Sequence, residues 1–270
     1  MHTTASDGAL SPPALMARAA AAGLTVVSVT DHDTVAGLAP AGQAAAFRLR
    51  LVNGIEITSV ENGRDVHLLG YFIDADDPSL SLFLERQRAD RVRRVREIAA
   101  RLRALGCGID EEALIVSAAS TPGTSIGRPQ IAGALVAAGH ARDRDDAFNR
   151  ILGRDGPAFV PRRGSRPEQV IEIIAGAGGI ASLAHPGLTR VDAIIPRLAA
   201  AGLTALEARH SDHDAGVERH YRDLAARHGL AVSGGSDFHG DSGQRPSALG
   251  AVTLPSDDFV ALESRASGNK

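Results

Sequence analysis

The chain has 270 residues, 44% of them apolar and 23% charged, with a formal net charge of −3. That length and balance can bury one large core, or a core with a small accessory domain. With no basic excess, no Trp and aromatics at only 3%, the chain lacks the field and the stacking platforms that long nucleic acids use. A single cysteine, Cys107, excludes an internal disulfide framework and predicts a reducing, cytoplasmic setting. No apolar run approaches the roughly 20 residues of a membrane span, and no secretory leader is expected.

The first predicted element is a proline-started helix over 12–22, followed by a strand at 24–29 and a helix at 36–47. Strands at 51–57 and 66–72 flank the turn dipeptide Asn62-Gly63. Residues 80–105 read as one long Arg-rich amphipathic helix, with shorter helices at 127–138 and 142–152 and no strand signal between them. Residues 153–164 return the chain to alternation: helix 167–175, strand 179–183, helix 191–201, strand 203–208, helix 215–228, strand 230–233 and a last strand near 248–254. The tail past Ala266 is expected to fray. Short, almost purely apolar strands between helices predict an α/β fold with a parallel sheet covered on both faces. The uninterrupted helices of the middle predict an insertion, dividing the chain into 1–78, 79–163 and 164–266.

In a parallel α/β fold the site lies at the carboxyl ends of the strands. Metal-ligand residue types collect there. The opening M-H-T-T-A-S-D-G carries His2 and Asp7, and T-D-H-D (30–33) carries His32. G-I-E-I (54–57) offers Glu56, V-H-L-L-G-Y (66–71) His67, A-H-P (184–186) His185, and G-S-D-F-H (235–239) Asp237 and His239. His67 is the exception, near the start of its apolar run, where a hairpin would return it to Glu56. Carboxylates mixed with imidazoles suit Mn, Fe or Zn. So many ligands exceed one coordination sphere, and clusters of ions activate water and clamp the oxygens of an in-line displacement on phosphorus.

Each residue also has a bland reading. Asp31, His32 and Asp33 could cap a helix, His67 could be a satisfied core histidine, His185 could serve a turn, and Asp7-Gly8 is a turn signature. Glu56 resists this, because a lone buried carboxylate is costly. Asp237 and His239 together favour a site. His220 and His228 read as helix surface, and His140 as a helix-end cation. His210 and His213 follow a strand end, in a solvated loop or against substrate. Cys107 reads as a structural thiol. No G-x-S-x-G or P-loop pattern supports a serine nucleophile or a triphosphate cradle.

Taken together, these motifs resemble those of the PHP (polymerase and histidinol phosphatase) family. The chain is most similar to its stand-alone phosphoesterases with a helical insertion, which include nucleoside 3',5'-bisphosphate phosphatases and 5'-to-3' exoribonucleases. The resemblance covers nearly the whole chain and implies a distorted (β/α)7 TIM-like barrel with a helical insertion domain. Six core strands are counted before the last apolar segment, so the first strand is expected to be missing. The resemblance also implies up to three divalent ions, manganese first, with iron or zinc as alternatives. Glu56 would bridge two ions, one completed by His67 and His185, the other held by His2 and Asp237. Asp7, His32 and His239 would hold the third, and a metal-bridging hydroxide would attack phosphorus. Glu56, Asp237 and His239 are thereby the implied catalytic set.

The segment S-I-G-R-P-Q (125–130) resembles the family's G-R-P-H, whose Arg contacts substrate phosphate. This implies substrate binding by Arg128, with Ser125 beside it and His213 from the later loop; Gln130 replaces the family's His. At the start the family reads D-L-H-x-H-[ST]-x-x-S-D-G. His2 and Asp7 match its second His and its Asp, while the first His and its strand are absent. Either Met1 is an internal methionine of a longer protein or the chain is a truncation. The first is expected, because a lost barrel strand leaves an open edge. For the chain as given, impaired occupancy of the first metal position is expected.

The implied function is metal-dependent hydrolysis of phosphate esters of small nucleotides or short oligoribonucleotides. The alternatives are a histidinol-phosphate phosphatase and a catalytically weak binding module. The expected partner is a small phosphorylated substrate, with no membrane and no long nucleic acid.

Overall fold

The computed structural model describes residues 1–45, 49–121, 123–240 and 248–267. Helix α1 (Pro12–Ala21) starts on Ser11, whose Oγ accepts from Ala14 N, and on two prolines whose fixed φ suits a first turn. Strand β1 (Val26–Val29) and helix α2 (Leu38–Ala44) follow. Residues 46 and 47, the end of the helix predicted at 36–47, lie outside the described residues. Strands β2 (Arg50–Glu61) and β3 (Arg64–Tyr71) form a hairpin about Asn62 and Gly63. Their φ values of 49° and 72° supply the left-handed pair that a two-residue turn requires.

The helical stretch then runs through α3 (Pro78–Ala104), α4 (Glu111–Ala119), α5 (Arg128–Ala137) and α6 (Arg144–Ala147), the last extended by a π turn at Phe148–Leu152. Next come α7 (Pro167–Gly176), β4 (Ile180–Leu183) and α8 (Pro186–Thr189), then a 3₁₀ turn at Asp192–Ile194 leading into α9 (Ile195–Ala200). The chain continues with β5 (Ala205–His210), α10 (Ala215–Arg227), β6 (Ala231–Gly235) and α11 (Ser256–Ser267). Among the described residues no helix is long and apolar enough to cross a membrane.

The six strands form one sheet in sequence order. It is mixed, which corrects the expectation of a parallel sheet. β1/β2, β4/β5 and β5/β6 are parallel, whereas β2/β3 and β3/β4 are antiparallel. The Asn62-Gly63 turn reverses β3, and the long helical excursion brings β4 back against it. The sheet curls at its carboxyl end. Thr30, just past β1, donates its N–H to the Met1 carbonyl, and His2 N–H reaches the carbonyl of Phe238, just past β6.

The strand predicted at 248–254 is not formed; these residues make turns, with Gly250 at φ 84°. Three helices escaped the periodicity reading: α4, α11 and the single-turn α8, which follows His185 where a turn was read. α4 buries none of its residues, so it carries no apolar stripe. α11 is marked mainly by the acidic Asp257 and Asp258 of its first turn.

The main core lies between the sheet and helices α1, α7, α9 and α10. A second core joins Val95, Ile98 and Leu102 of α3 to Ile131 and Leu135 of α5, together with Ile151 and Leu152. Leu102 is fully buried there. Leu102→Ala should cost about 2–5 kcal/mol, read as a lower denaturant midpoint for loss of helical signal.

Candidate metal centre

The amino-terminal loop is tied down by Asp31. Its carboxylate accepts from Thr3 N at 2.7 Å, Thr3 Oγ1 at 2.7 Å and Ser6 Oγ at 2.6 Å. Gly8 closes the loop, where a Cβ would lie 2.3 Å from the His2 carbonyl oxygen. Gln130 Nε2 donates to the Ser6 carbonyl at 2.6 Å while its Oε1 accepts from Gly127 N. The Gln in the S-I-G-R-P-Q segment therefore anchors the loop that presents Asp7.

T-D-H-D divides its side chains. Asp31 turns to the loop, His32 to Glu56, and Asp33, at φ 53°, to Arg91. Glu56 is the hub, with 2% of its surface exposed. Its Oε1 is 2.5 Å from His67 Nδ1 and 3.2 Å from His185 Nε2. Its Oε2 is 3.1 Å from His2 Nε2 and 3.7 Å from His32 Nδ1. The hairpin register opposes Glu56 to Leu69 and Thr58 to His67, which returns His67 to Glu56 across the turn.

His2 Nε2 also lies 3.0 Å from Asp237 Oδ1. Asp7 has His2, His32 and His239 nitrogens at 3.6, 3.8 and 3.5 Å. His185 sits at φ 27°, a conformation that residues with a Cβ rarely adopt. Glu207 Oε2 secures it by accepting its N–H at 2.7 Å.

Electrostatics set the protonation pattern. Burial opposes charge on His2, but the hydrogen bonds and charges of Asp237 and Glu56 outweigh it and raise the ring to about 10. Burial likewise works against His185, yet its contact with Glu56 raises it to about 9. His32 goes the other way. Burial, helped by neighbouring His2 and His67, outweighs its carboxylates and lowers it to about 3. Asp7, Glu56 and Asp237 stay well below the usual carboxylate range despite their burial, because imidazoles surround them.

The residues fit divalent cations. Three overlapping donor groups each have ligand atoms within 4.8 Å of one another: His2, Asp7, His32 and His239; His32, Glu56 and His67; His2, Glu56 and Asp237. Nδ1 of His2, His32, His67 and His185 is buried without an aligned hydrogen bond. Nitrogens crowded around carboxylates yet not aligned to them suit shared coordination better than a hydrogen-bonded network.

No protein-family model matches the chain. It is 35% identical over 245 residues to the 3',5'-nucleoside bisphosphate phosphatase of Chromobacterium violaceum, spanning 88% of this chain and 85% of that one. It is 34% identical over 251 residues to the 5'-3' exoribonuclease Rnm of Escherichia coli, spanning 88% and 83%. A Bifidobacterium adolescentis structure named as a metal-dependent phosphoesterase superposes with a TM-score of 0.88 at 34% identity, covering 98% of this chain and 94% of that one. The chain belongs to the PHP family of metal-dependent phosphoesterases. It is accordingly a hydrolase of phosphate esters.

Beside this PHP cluster lies a group of arginines that the sequence reading missed, apart from Arg128. Arg91 Nε pairs with Asp33 Oδ2 at 2.6 Å, and Arg162 Nη1 lies 3.6 Å from the same oxygen. Arg94 Nη1 and Arg128 Nη2 approach Asp65 Oδ2 at 3.8 and 3.7 Å. Four guanidiniums thus face two carboxylates. Arg94 Nη2 and Arg162 Nε and Nη1 are buried without a hydrogen-bond acceptor. Burial and the neighbouring arginines lower Arg94 to about 9 and Arg162 to about 10, in a group with more guanidiniums than carboxylates. A signal existed for part of this group: Arg91 and Arg94 continue the buried series Leu80, Leu84, Gln87 on α3.

The remaining predicted substrate residues separate. Ser125 Oγ is buried without a partner, and Ser125 N donates to the Ala5 carbonyl. His213 is engaged elsewhere. Its Nδ1 bonds the Ala208 carbonyl of β5 at 2.9 Å and its Nε2 accepts from Gly187 N of α8 at 3.2 Å, so both ring nitrogens are engaged in tying α8 to β5. His210 is fully enclosed next to Asp237, which corrects its reading as a solvated loop residue.

Proposed function

We propose that the chain releases phosphate from a small nucleotide bearing a second phosphate, a nucleoside 3',5'-bisphosphate or the end of a short oligoribonucleotide. The observation that carries this reading is the excess of four arginines over two aspartates beside the ligand cluster. The names of the two curated relatives support it. A histidinol-phosphate substrate would instead bring an ammonium group towards those arginines.

In this reading His2, Glu56 and Asp237 would hold one divalent ion, Glu56 with His67 and His185 a second, and Asp7, His32 and His239 a third. Manganese is the first choice, with iron or zinc as alternatives. Bound divalent ions would make water nucleophilic near neutral pH and neutralise charge on phosphoryl oxygens. Arg128, at 26% side-chain exposure the most accessible of the four arginines, would grip the phosphate that is not cleaved. Arg94 and Arg162 would complete that grip with their unpaired donors, and Ser125 Oγ would add a hydroxyl. The sheet is read as the six-stranded part of a distorted (β/α)7 barrel made of residues 1–78 and 164–266, with 79–163 as its helical insertion. Cys107, the only cysteine, fits a cytoplasmic enzyme.

Arg128→Ala should raise KM for a nucleoside 3',5'-bisphosphate by about 10–100-fold, the worth of a charge-assisted contact, with little change for a nucleoside 3'-monophosphate. Steady-state phosphate release on both substrates tests this. An equal rise on both would defeat the second-phosphate reading.

A further inference from the structure

We propose that His210 is a positioning residue that holds the outer oxygen of Asp237, so that Asp237 presents a single oxygen to a cation. The proposal rests on the reading of Asp237 as a metal ligand. His210 ends β5 with its side chain wholly enclosed. Its Nδ1 accepts from Asp212 N at 3.1 Å, so in the neutral ring the proton sits on Nε2. That Nε2 has no aligned acceptor and lies 3.6 Å from Asp237 Oδ2. The other oxygen, Oδ1, faces His2 Nε2 at 3.0 Å. Asp237 is therefore approached from two sides by groups with different tasks. Carboxylate ligands commonly need such a partner, because the free oxygen otherwise lets the group rotate or chelate. Asp237 itself sits at φ 47°, a conformation its surroundings must maintain.

The backbone explains how His210 comes to be there. Along a regular strand, side chains alternate. Glu207 faces the site, where it accepts the His185 N–H, and Ala208 faces the main core. Strict alternation would give Arg209 the site face and turn His210 away. The β5/β6 register slips between Glu207 and Arg209: Glu207 pairs with Ser233, Arg209 with Gly234 and His210 with Gly235. This bulge restores His210 to the Glu207 face, two residues across from Asp237. Gly234 permits it, since a Cβ there would lie 2.5 Å from Arg209 Cβ.

The test compares His210→Asn with His210→Gln. Asn keeps an acceptor where Nδ1 meets Asp212 N but has no group at the Nε2 position; Gln can return a donor there. Binding of Mn²⁺ alone to the full chain, by calorimetry after chelation, should weaken about 10–100-fold for one ion per chain in His210→Asn and recover in His210→Gln. Wild-type affinity in His210→Asn, equal weakening in both, or loss of the fold in both by circular dichroism would overturn the proposal. Asp237→Asn is the companion measurement. If it leaves Mn²⁺ binding unchanged, the ligand reading of Asp237 fails; if it weakens binding while His210→Asn does not, only the positioning role fails.

Discussion

Glu56→Gln should reduce phosphate release by on the order of 10³-fold or more. Losing a group that merely orients a ligand costs about 10–100-fold, and Glu56 lies within 3.2 Å of three histidines and 3.7 Å of a fourth. In the proposed arrangement it serves two ions, so metal content by elemental analysis should fall along with activity. Gln keeps the volume of the side chain, and His2 and His185, which Glu56 helps to hold protonated, can shed their protons once its charge is gone. The chelated variant should therefore stay folded, as its circular dichroism and unfolding midpoint will report. Substantial activity in Glu56→Gln, or an unchanged metal content, would sink the hub assignment. Asp237→Ala and His239→Ala are expected to abolish release as well, each with the fold intact.

The second large effect is a proton count. Metal ligands must shed their protons. In the metal-free protein His2 is raised to about 10 and His185 to about 9, whereas His32 is already neutral above about 3. Loading at pH 7.5 should release close to two protons per chain from these rings, and apparent affinity should climb by up to about 100-fold per pH unit below pH 9. Calorimetry in buffers of different ionisation enthalpy measures the release directly. No proton release at pH 7.5 would contradict the assignment of both rings.

The same shifts fix the sign for stability of the chelated protein. His2 and His185 have folded values above the ordinary 6.5, so their contribution is fully present below pH 6.5 and is lost as pH rises through about 9 and 10. His32 is depressed, so it withdraws stability as pH falls from 6.5 towards about 3. Denaturation in chelator should thus show weakening at both ends of the range.

Much of this site could be read along the chain. His32, Glu56, His185, Asp237 and His239 announce themselves because a polar ligand type at the end of an apolar strand is costly unless it has a task; His2, Asp7 and His67 were legible only from their motifs, and the structure brings all eight around Glu56 and Asp7. The long helix of the middle was legible for the same local reason, an apolar stripe at helical spacing.

Other features depend on partners distant in sequence. A strand's apolar content does not say which way its neighbour runs, so the antiparallel placement of β3 and β4 followed from a turn and an excursion, not from the strands. Arg91, Arg94, Arg128 and Arg162 are separated by up to 71 positions in the chain, as their numbers give, and only packing reveals that two aspartates must serve all four. His210 is the sharpest case. Alternation along β5 argues against it, and the bulge that turns it inward arises from pairing with β6, a long-range contact that no local pattern encodes. The sequence by itself therefore marked which residues are candidates to bind metal, through the local cost of burying charge. The tertiary structure alone decided how those residues are oriented and which arginines share their pocket, because orientation and charge balance are set by contacts between distant segments.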